Sequence, residues 1–236
     1  MKILEIMTFR HSDFPQEFLQ TSAMDWVFGH LNTKALTHLG RMNDNIGLNL
    51  LPFDGGAYYF KNVLEKDPFT KLEREISWKP DIVKMFGKTI ETKRLTAWYG
   101  KKPFIYTYSG MSKTAIIFTP FLKEIESQIA KICGFTFNSC LLNSYRDGNE
   151  GMSYHRDNER TLVEEYPIAS LSFGAERKFQ LKHRETGEKV EVLLENNSML
   201  LMTGAIQEQW LHALPKSKKV TEKRINLTFR QYFEGK

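Results

Sequence analysis

Cysteine is scarce: Cys133 and Cys140 are the only two in 236 residues, and they lack a CxxC spacing. A disulfide scaffold of the secreted kind is therefore not expected; a reducing compartment is, with both thiols buried as structural residues. Long apolar runs are missing too. No uncharged stretch approaches the roughly 18 residues of a membrane span, and the opening MKILEIMTFRHSD is broken by Glu5, Arg10 and Asp13 before a signal-peptide core can form. Repeats, linkers and low-complexity segments are lacking. The expectation is a chain neither secreted nor held in a membrane.

What is present suffices for a core: 41% of the residues are hydrophobic. The 33 Lys+Arg exceed the 28 Asp+Glu, giving a formal charge of +5 and a pI near 9.0. That excess raises encounter rates with a polyanion without proving that one is bound. Residues 1–47 read as an N-terminal extension, because Pro15, Gly29, Gly40 and Gly47 interrupt every period there. Residues 48–236 read as one domain. From about Asp54, the spacing of Tyr58, Tyr59, Phe60, Val63 and Leu64 predicts a helix ending near Asp67. There Asp67 as N-cap and Pro68 at the first position start a second helix through Leu72 and Ile76. The best-defined helix is capped by Thr119, buries Leu122, Ile125, Ile129 and Ile132, and stops at Gly134. Beyond it the period becomes two, predicting strands at 137–145, 168–173, 178–183, 190–194, 199–202 and 224–233, with a hairpin turn around Gly187. The pattern is mainly β with flanking helices (α+β), its core a jelly roll or double-stranded β-helix, whose mouth commonly takes a small ligand.

The chemistry gathers around NSYRDGNEGMSYHRDNER at 143–160. His155 and Asp157 stand two apart beside Gly148 and Gly151, so on extended backbone their side chains share one face. With one distant histidine they would make the two-His-one-carboxylate face that holds non-haem Fe(II) and leaves three positions open. His212, which shares a strand face with Trp210 in QWLHALP, is the candidate. His11, His30, His38 and His183 have no context that recommends them. In RINLTFRQYF, Ile225, Leu227 and Phe229 alternate with Arg224, Asn226, Thr228 and Arg230. A polar face with two guanidinium groups inside a barrel needs an anion. The two arginine backbones lie about 20 Å apart at roughly 3.3 Å per residue, so inward-reaching side chains could grip both ends of a small dicarboxylate.

On these motifs, together with Asn143-x-Tyr145 and PIASLSFG at 167–174, the chain resembles the AlkB-like Fe(II)- and 2-oxoglutarate-dependent dioxygenases, which repair alkylated nucleobases. The likeness runs from about Leu48 to Phe233 and is greatest to the branch acting on double-stranded DNA. The resemblance implies that His155, Asp157 and His212 bind Fe(II) and carry catalysis. It implies that Asn143, Tyr145, Arg224, Asn226, Thr228 and Arg230 hold 2-oxoglutarate, with Arg224 on the far carboxylate, and that O2 is the other cosubstrate. The family oxidises an N-alkyl carbon and releases formaldehyde, with succinate and CO2 as co-products.

A base within a duplex must be flipped out to reach such a centre. By resemblance, Tyr106 and Tyr108 form the aromatic base platform, and Glu159 contacts the lesion base. Asn158 stands where a relative carries another carboxylate, a departure that puts its role in doubt. A recognition lid is expected at about 80–115, and in it KMFGK, from Lys84 through Met85, Phe86 and Gly87 to Lys88, has the composition of a duplex-probing tip: an apolar wedge between two lysines. The expected activity is oxidative demethylation of N-alkylated bases in double-stranded DNA by a monomer, nuclear in a eukaryote and cytoplasmic in a bacterium. Rival readings are an RNA or single-strand demethylase, a non-catalytic reader of modified nucleic acid, and a dioxygenase acting on protein.

Overall fold

The structure is a computed structural model that describes residues 48–85, 88–108, 111–159 and 161–233. Residues 1–47, read above as an extension, lie outside the described residues. In chain order, strand β1 (Gly56–Lys61) is followed by helix α1 (Phe69–Glu75) and by β2 (Lys79–Met85), β3 (Lys88–Gly100), β4 (Ile105–Tyr108), β5 (Met111–Thr114) and β6 (Ile116–Ile117). Helix α2 (Pro120–Cys133) leads into β7 (Ser139–Tyr145), β8 (Met152–His155), β9 (Ile168–Gly174), β10 (Arg177–His183), β11 (Lys189–Leu194) and β12 (Ser198–Thr203). The short helix α3 (Ile206–Gln209), β13 (Trp210–Leu214) and β14 (Arg224–Arg230) complete it.

The strands form a large sheet, β1-β12-β9-β14-β7-β3-β2 with β6 beside β3, and a smaller sheet, β11-β10-β13-β8. Each of the two sheets interleaves strands distant in sequence, as a jelly roll does. One core lies on the outer face of the large sheet. There Leu72 of α1 and Leu122, Ile125 and Ile129 of α2 pack with Ile225, Leu227 and Phe229 of β14. A second core holds Tyr145, Phe179, Leu181, Met202, Trp210 and Leu214, drawn from both sheets. Alternation along β14 thus gives one face to the helices and the other to the smaller sheet.

Helix α2 matches its sequence signals at both ends. Thr119 accepts from the Leu122 N–H, Pro120 opens the helix, and Gly134 closes it at φ +78 with its N–H on the Ala130 carbonyl. Asp67 accepts from the Phe69 N–H, although α1 starts one residue later than expected. Glu126, on the buried side of α2, accepts from the Phe137 N–H and so has a reason to be inside.

Where a helix was expected from about Asp54 to near Asp67, Gly56–Lys61 is instead strand β1, paired antiparallel with β12 from Gly56↔Thr203 to Lys61↔Ser198. Tyr58, Tyr59 and Phe60 are aromatic and favour strands, and an unpaired edge of β12 was available to them. Helical spacing of the apolar residues was overridden by that edge. Gly187 makes the expected turn, at φ +73 with its N–H on the His183 carbonyl.

Both thiols are buried, and burial pushes Cys133 up to about 11 and Cys140 well above its ordinary value of 9.0. A raised thiol pKa favours the folded state below the unfolded value, an advantage lost as pH climbs from about 9 towards the folded values. The urea midpoint is therefore expected to fall between pH 8.5 and 10.5, and less so in Cys133→Ala/Cys140→Ala. Rapid labelling of either thiol in native protein at pH 8 would contradict the burial.

Candidate active site

Three elements converge between the sheets. His155 ends β8, His212 sits mid-way along β13, and the two are register partners in adjacent strands. From that pair to the next, Leu214↔Met152, β8 spends three residue steps while β13 spends two. This bulge lets Met152 and His155, an odd number of residues apart, both meet inward-facing partners. Their rings lie 4.2 Å apart, centroid to centroid. Asp157 falls beyond the end of β8, where its backbone N–H is held by Gln207 Oε1 at 2.9 Å. Strand alternation alone therefore does not bring the pair together, since Gln207 of α3 secures the second member.

His155 Nδ1 lies 2.8 Å from the Ser153 carbonyl, which can only accept. A proton on Nδ1 meets that carbonyl, which leaves Nε2 as the ring atom that could bind a metal. Burial holds the His212 imidazole down at about 4, against the opposing pull of Asp157, so it is neutral at physiological pH. Burial pushes the Asp157 carboxyl up, but the Arg230 guanidinium, the largest opposing charge, counters it, and the carboxyl lies below its ordinary value. Ligand atoms of His155, Asp157 and His212 lie within 4.8 Å of one another. That is little more than twice the ~2.1 Å bond such donors make to a divalent transition ion. Two imidazoles and one carboxylate suit Fe(II) and leave room for a further ligand.

The rest of the cleft is the polar face of β14. Arg224, Asn226, Thr228 and Arg230 line it together with Asn143 and Tyr145 of β7. Asn226 donates to Ser170 Oγ and the Leu171 carbonyl, while its Oδ1 accepts from Thr228 at 3.1 Å and from Asn143 at 3.5 Å. At one end Arg230 pairs with Asp157 at 2.6 Å and lies 3.6 Å from Glu159. At the other, Arg224 lies 5.5 Å from the centre of the Tyr145 ring and donates to Ser172. Both arginines keep a buried Nε with no partner. A donor-rich cleft whose Arg224 end has no carboxylate among the described residues fits an acidic ligand.

The structure brings His155, Asp157, His212, Asn143, Tyr145, Arg224, Asn226, Thr228 and Arg230 into one cleft. Glu159 is at its edge through Arg230, with Oε2 buried and unpartnered. Asn158 is exposed, and its amide, correctly oriented, accepts from Arg156. Met85 and Lys88 are backbone partners at the end of the β2–β3 hairpin, and Tyr106 and Tyr108 lie on β4, which pairs with β5. The side chains of Lys84, Met85, Lys88, Tyr106 and Tyr108, and Phe86 and Gly87 altogether, lie outside the described residues. Lys113 of β5 forms an ion pair with Asp81 of β2, tying the two hairpins together.

Sequence reasoning missed several contributors. Phe179 stacks on His212 at 5.6 Å. Ser170 and Ser172, register partners of Thr228 and Asn226, extend the polar face onto β9, and the alternating serines of PIASLSFG were the available signal. His183, set aside above, is buried against Trp210 and Phe53, with Nε2 3.3 Å from Asp54. Nothing local to His183 announces a partner so distant in sequence.

The Arg230–Asp157 pair sets a stability test. Asp157→Asn keeps the shape but leaves a buried guanidinium with only Glu159 nearby, and should cost the metal-free protein about 3 kcal/mol in urea unfolding. An unchanged midpoint would mean that Glu159 alone neutralises Arg230.

Comparison with known proteins agrees with this geometry. The 2OG-Fe(II) oxygenase superfamily model matches residues 56–230. Mouse DNA oxidative demethylase ALKBH2 is 37% identical over 179 residues, 71% of this chain and 75% of the mouse protein. Its human counterpart is 37% identical over 174 residues, 69% of this chain and 67% of that protein. Rat alpha-ketoglutarate-dependent dioxygenase alkB homolog 3 is 37% identical over 172 residues, covering 69% and 58%. The solved structure of OsALKBH1 superposes with a TM-score of 0.55 over 77% of this chain and 100% of that one, and at 15% identity speaks for the fold alone. With the family model spanning nearly the whole jelly roll and a relative this similar over most of its own length, the chain belongs to the AlkB-like Fe(II)- and 2-oxoglutarate-dependent dioxygenases, and Fe(II), 2-oxoglutarate and O2 are its cofactors.

Proposed function

We propose that this dioxygenase removes alkyl groups from the ring nitrogens of DNA bases. The observation that carries the reading is one cleft holding a His-Asp-His set at one end and an uncompensated arginine at the other, in a chain 37% identical to a mammalian DNA oxidative demethylase. His155, Asp157 and His212 would hold the iron. Arg224 and Tyr145 would hold the far carboxylate of 2-oxoglutarate, leaving its keto-acid end for the metal set. Asn143, Asn226 and Thr228 give it a hydrogen-bonding wall, and Arg230 remains beside Asp157. When bound, iron with O2 and 2-oxoglutarate would supply the oxidant that hydroxylates the alkyl carbon bonded to nitrogen, a methyl group then leaving as formaldehyde. The protein's own part is positional: Gln207 steadies the backbone of Asp157, the Ser153 carbonyl orients His155 through Nδ1, and Phe179 holds the ring of His212.

Duplex DNA is the preferred substrate in this reading, and the enzyme acts as a monomer wherever the DNA is, the nucleus in a eukaryotic cell. Support comes from the basic charge and from the Met85-Phe86 tip between Lys84 and Lys88. Tyr106, Tyr108, Glu159 and Asn158 are proposed to meet the flipped base. No helix among the described residues is long and apolar enough to cross a membrane.

The direct test is incubation with N-methylated duplex DNA, Fe(II) and 2-oxoglutarate, reading restored bases by mass spectrometry against succinate formed. His155→Ala, Asp157→Ala and His212→Ala should each abolish turnover and binding of Mn(II), since one of three ligands is lost. Substantial repair by any of them would remove that residue from the metal set. Phe86→Ala should slow repair of duplex by about tenfold or more, unstacking costing a few kcal/mol at about 1.4 kcal/mol per tenfold, with single strands far less affected. Equal losses on both substrates would end the duplex assignment and leave the demethylase.

A further inference from the structure

Beyond Pro80 the β2–β3 hairpin leaves the large sheet. Strand β3 is laddered to β7 only from Leu95 to Gly100, so Ile82–Met85 and Lys88–Glu91 pair with each other and, among the described residues, with no further strand. The β4–β5 hairpin, Ile105–Tyr108 against Met111–Thr114, is likewise a two-stranded sheet of its own. A two-stranded ribbon is marginally stable by itself and needs something to lean on.

Asp81 stands at the root of the first ribbon. Between the pairs Pro80↔Leu95 and Ile82↔Glu91, β2 spends two residue steps and β3 four, so Asp81 alone faces Thr92, Lys93 and Arg94. Such a bulge bends and twists its strand, which makes this root the point about which the ribbon would swing. The Asp81 N–H donates to Thr92 Oγ1 at 3.1 Å, and that hydroxyl donates to the Arg94 carbonyl at 2.8 Å. One carboxylate oxygen of Asp81 takes Lys113 Nζ of β5, and the other lies 3.9 Å from Arg94 Nη2. Arg94 has a buried Nε without a partner, and its Nη1 lies 3.5 Å from the sulfur of Met152 in the cleft wall. Lys113 is the register partner of Tyr106. Both ribbons and the cleft wall are thus tied to one acid. An ion pair standing alone at a surface contributes little, but removing a partly buried carboxylate from between two cations breaks both contacts and leaves Arg94 with no acid among the described residues.

We propose that Asp81 is a positioning residue that braces the two hairpins into one body, and that this brace sets how well the enzyme works on a duplex relative to a single strand. The proposal rests on the reading that the end of the β2–β3 hairpin probes duplex DNA and that Tyr106 meets the flipped base. In a duplex one hairpin has to open the stack while the other receives the base, so their spacing must hold against the cost of unstacking. A single strand offers a base already free, which the second hairpin takes without that load. Asp81 itself touches no substrate in this scheme.

The test compares full-length wild type, Asp81→Asn, Lys113→Met and the double variant on one N-methylated oligonucleotide, single-stranded or annealed, with hydrogen exchange of the DNA-free proteins alongside. Lys113→Met should lower the ratio of duplex to single-strand repair by about fivefold, and Asp81→Asn, which frees both cations, by at least as much. The double variant should lose no more than Asp81→Asn, because both substitutions remove one shared contact. Single-strand repair and Mn(II) binding should stay within about twofold of wild type. Amides of β2 and of the β4–β5 hairpin should exchange about threefold faster or more in each variant, while those of β7, β9 and β14 keep their wild-type rates. Unchanged exchange, additive losses in the double variant, or equal losses on both DNA forms would overturn the proposal and leave Asp81 a fold-supporting residue. Faster exchange with an unchanged ratio overturns it as well. Should Asp81→Asn not fold, the exposed end of Lys113 makes Lys113→Met the deciding variant. A wild type that repairs neither form removes the underlying reading of the substrate, a failure told apart because it precedes any substitution.

Discussion

Strand β14 lies between β7 and β9 with all seven of its residues buried, so Arg224 and Arg230 are both taken out of water. A single uncompensated buried charge can cost a large part of the roughly 5–15 kcal/mol by which a domain is stable. The surroundings of β14 answer that cost unequally. Arg230 receives Asp157 and Glu159, whereas Arg224 receives a hydroxyl and the face of an aromatic ring. The imbalance gives the cleft a direction. A carboxylate brought to the Arg224 end would meet a buried guanidinium that no acid among the described residues neutralises.

Holding that arrangement open requires support from outside the cleft. The loop before β8 runs against the segment after β13: Gly148 exchanges hydrogen bonds with Val220 and Ser217, and a Cβ on Gly148 would stand 1.9 Å from the Ser217 carbonyl. Gly151 is as constrained, with the Leu214 carbonyl 2.4 Å from its missing Cβ. These glycines serve close approach between the two histidine-bearing strands, and Arg177 ties the same loop to Pro215. Rigidity in the supporting shell is what keeps donor atoms within bonding range of an ion.

Charge placement also connects the centre to the hairpins that precede it. Asp81 on β2 meets Lys113 on β5 and lies 3.9 Å from Arg94 on β3, and Arg94 in turn reaches Met152 of β8 at 3.5 Å. One carboxylate thus serves two cations on different elements, and the second of those contacts a residue of the cleft wall. The hairpins and the jelly roll are linked through side chains as well as through the continuous β3–β7 ladder.

The sequence by itself determined the elements whose signals are local. Helix α2 was readable from Thr119, Pro120 and Gly134, and β14 from its alternation, because capping and pleat depend on neighbours a few residues away. His155, Asp157 and His212 were readable as donors of the right kind. Tertiary structure decided what depends on partners far along the chain. Tyr58, Tyr59 and Phe60 became a strand because β12 offered an edge, and His183 became a core residue because Asp54 and Trp210 came to it. Asp157, beyond the end of β8, is held beside the histidines by the amide of Gln207, 50 residues away. Which arginine stands bare and which is neutralised was likewise invisible in RINLTFR, where the two occupy equivalent places in one alternating pattern. Only the packing of β7, β9 and the Asp157 turn around that strand makes them different, because a charge's free energy is set by what surrounds it in space.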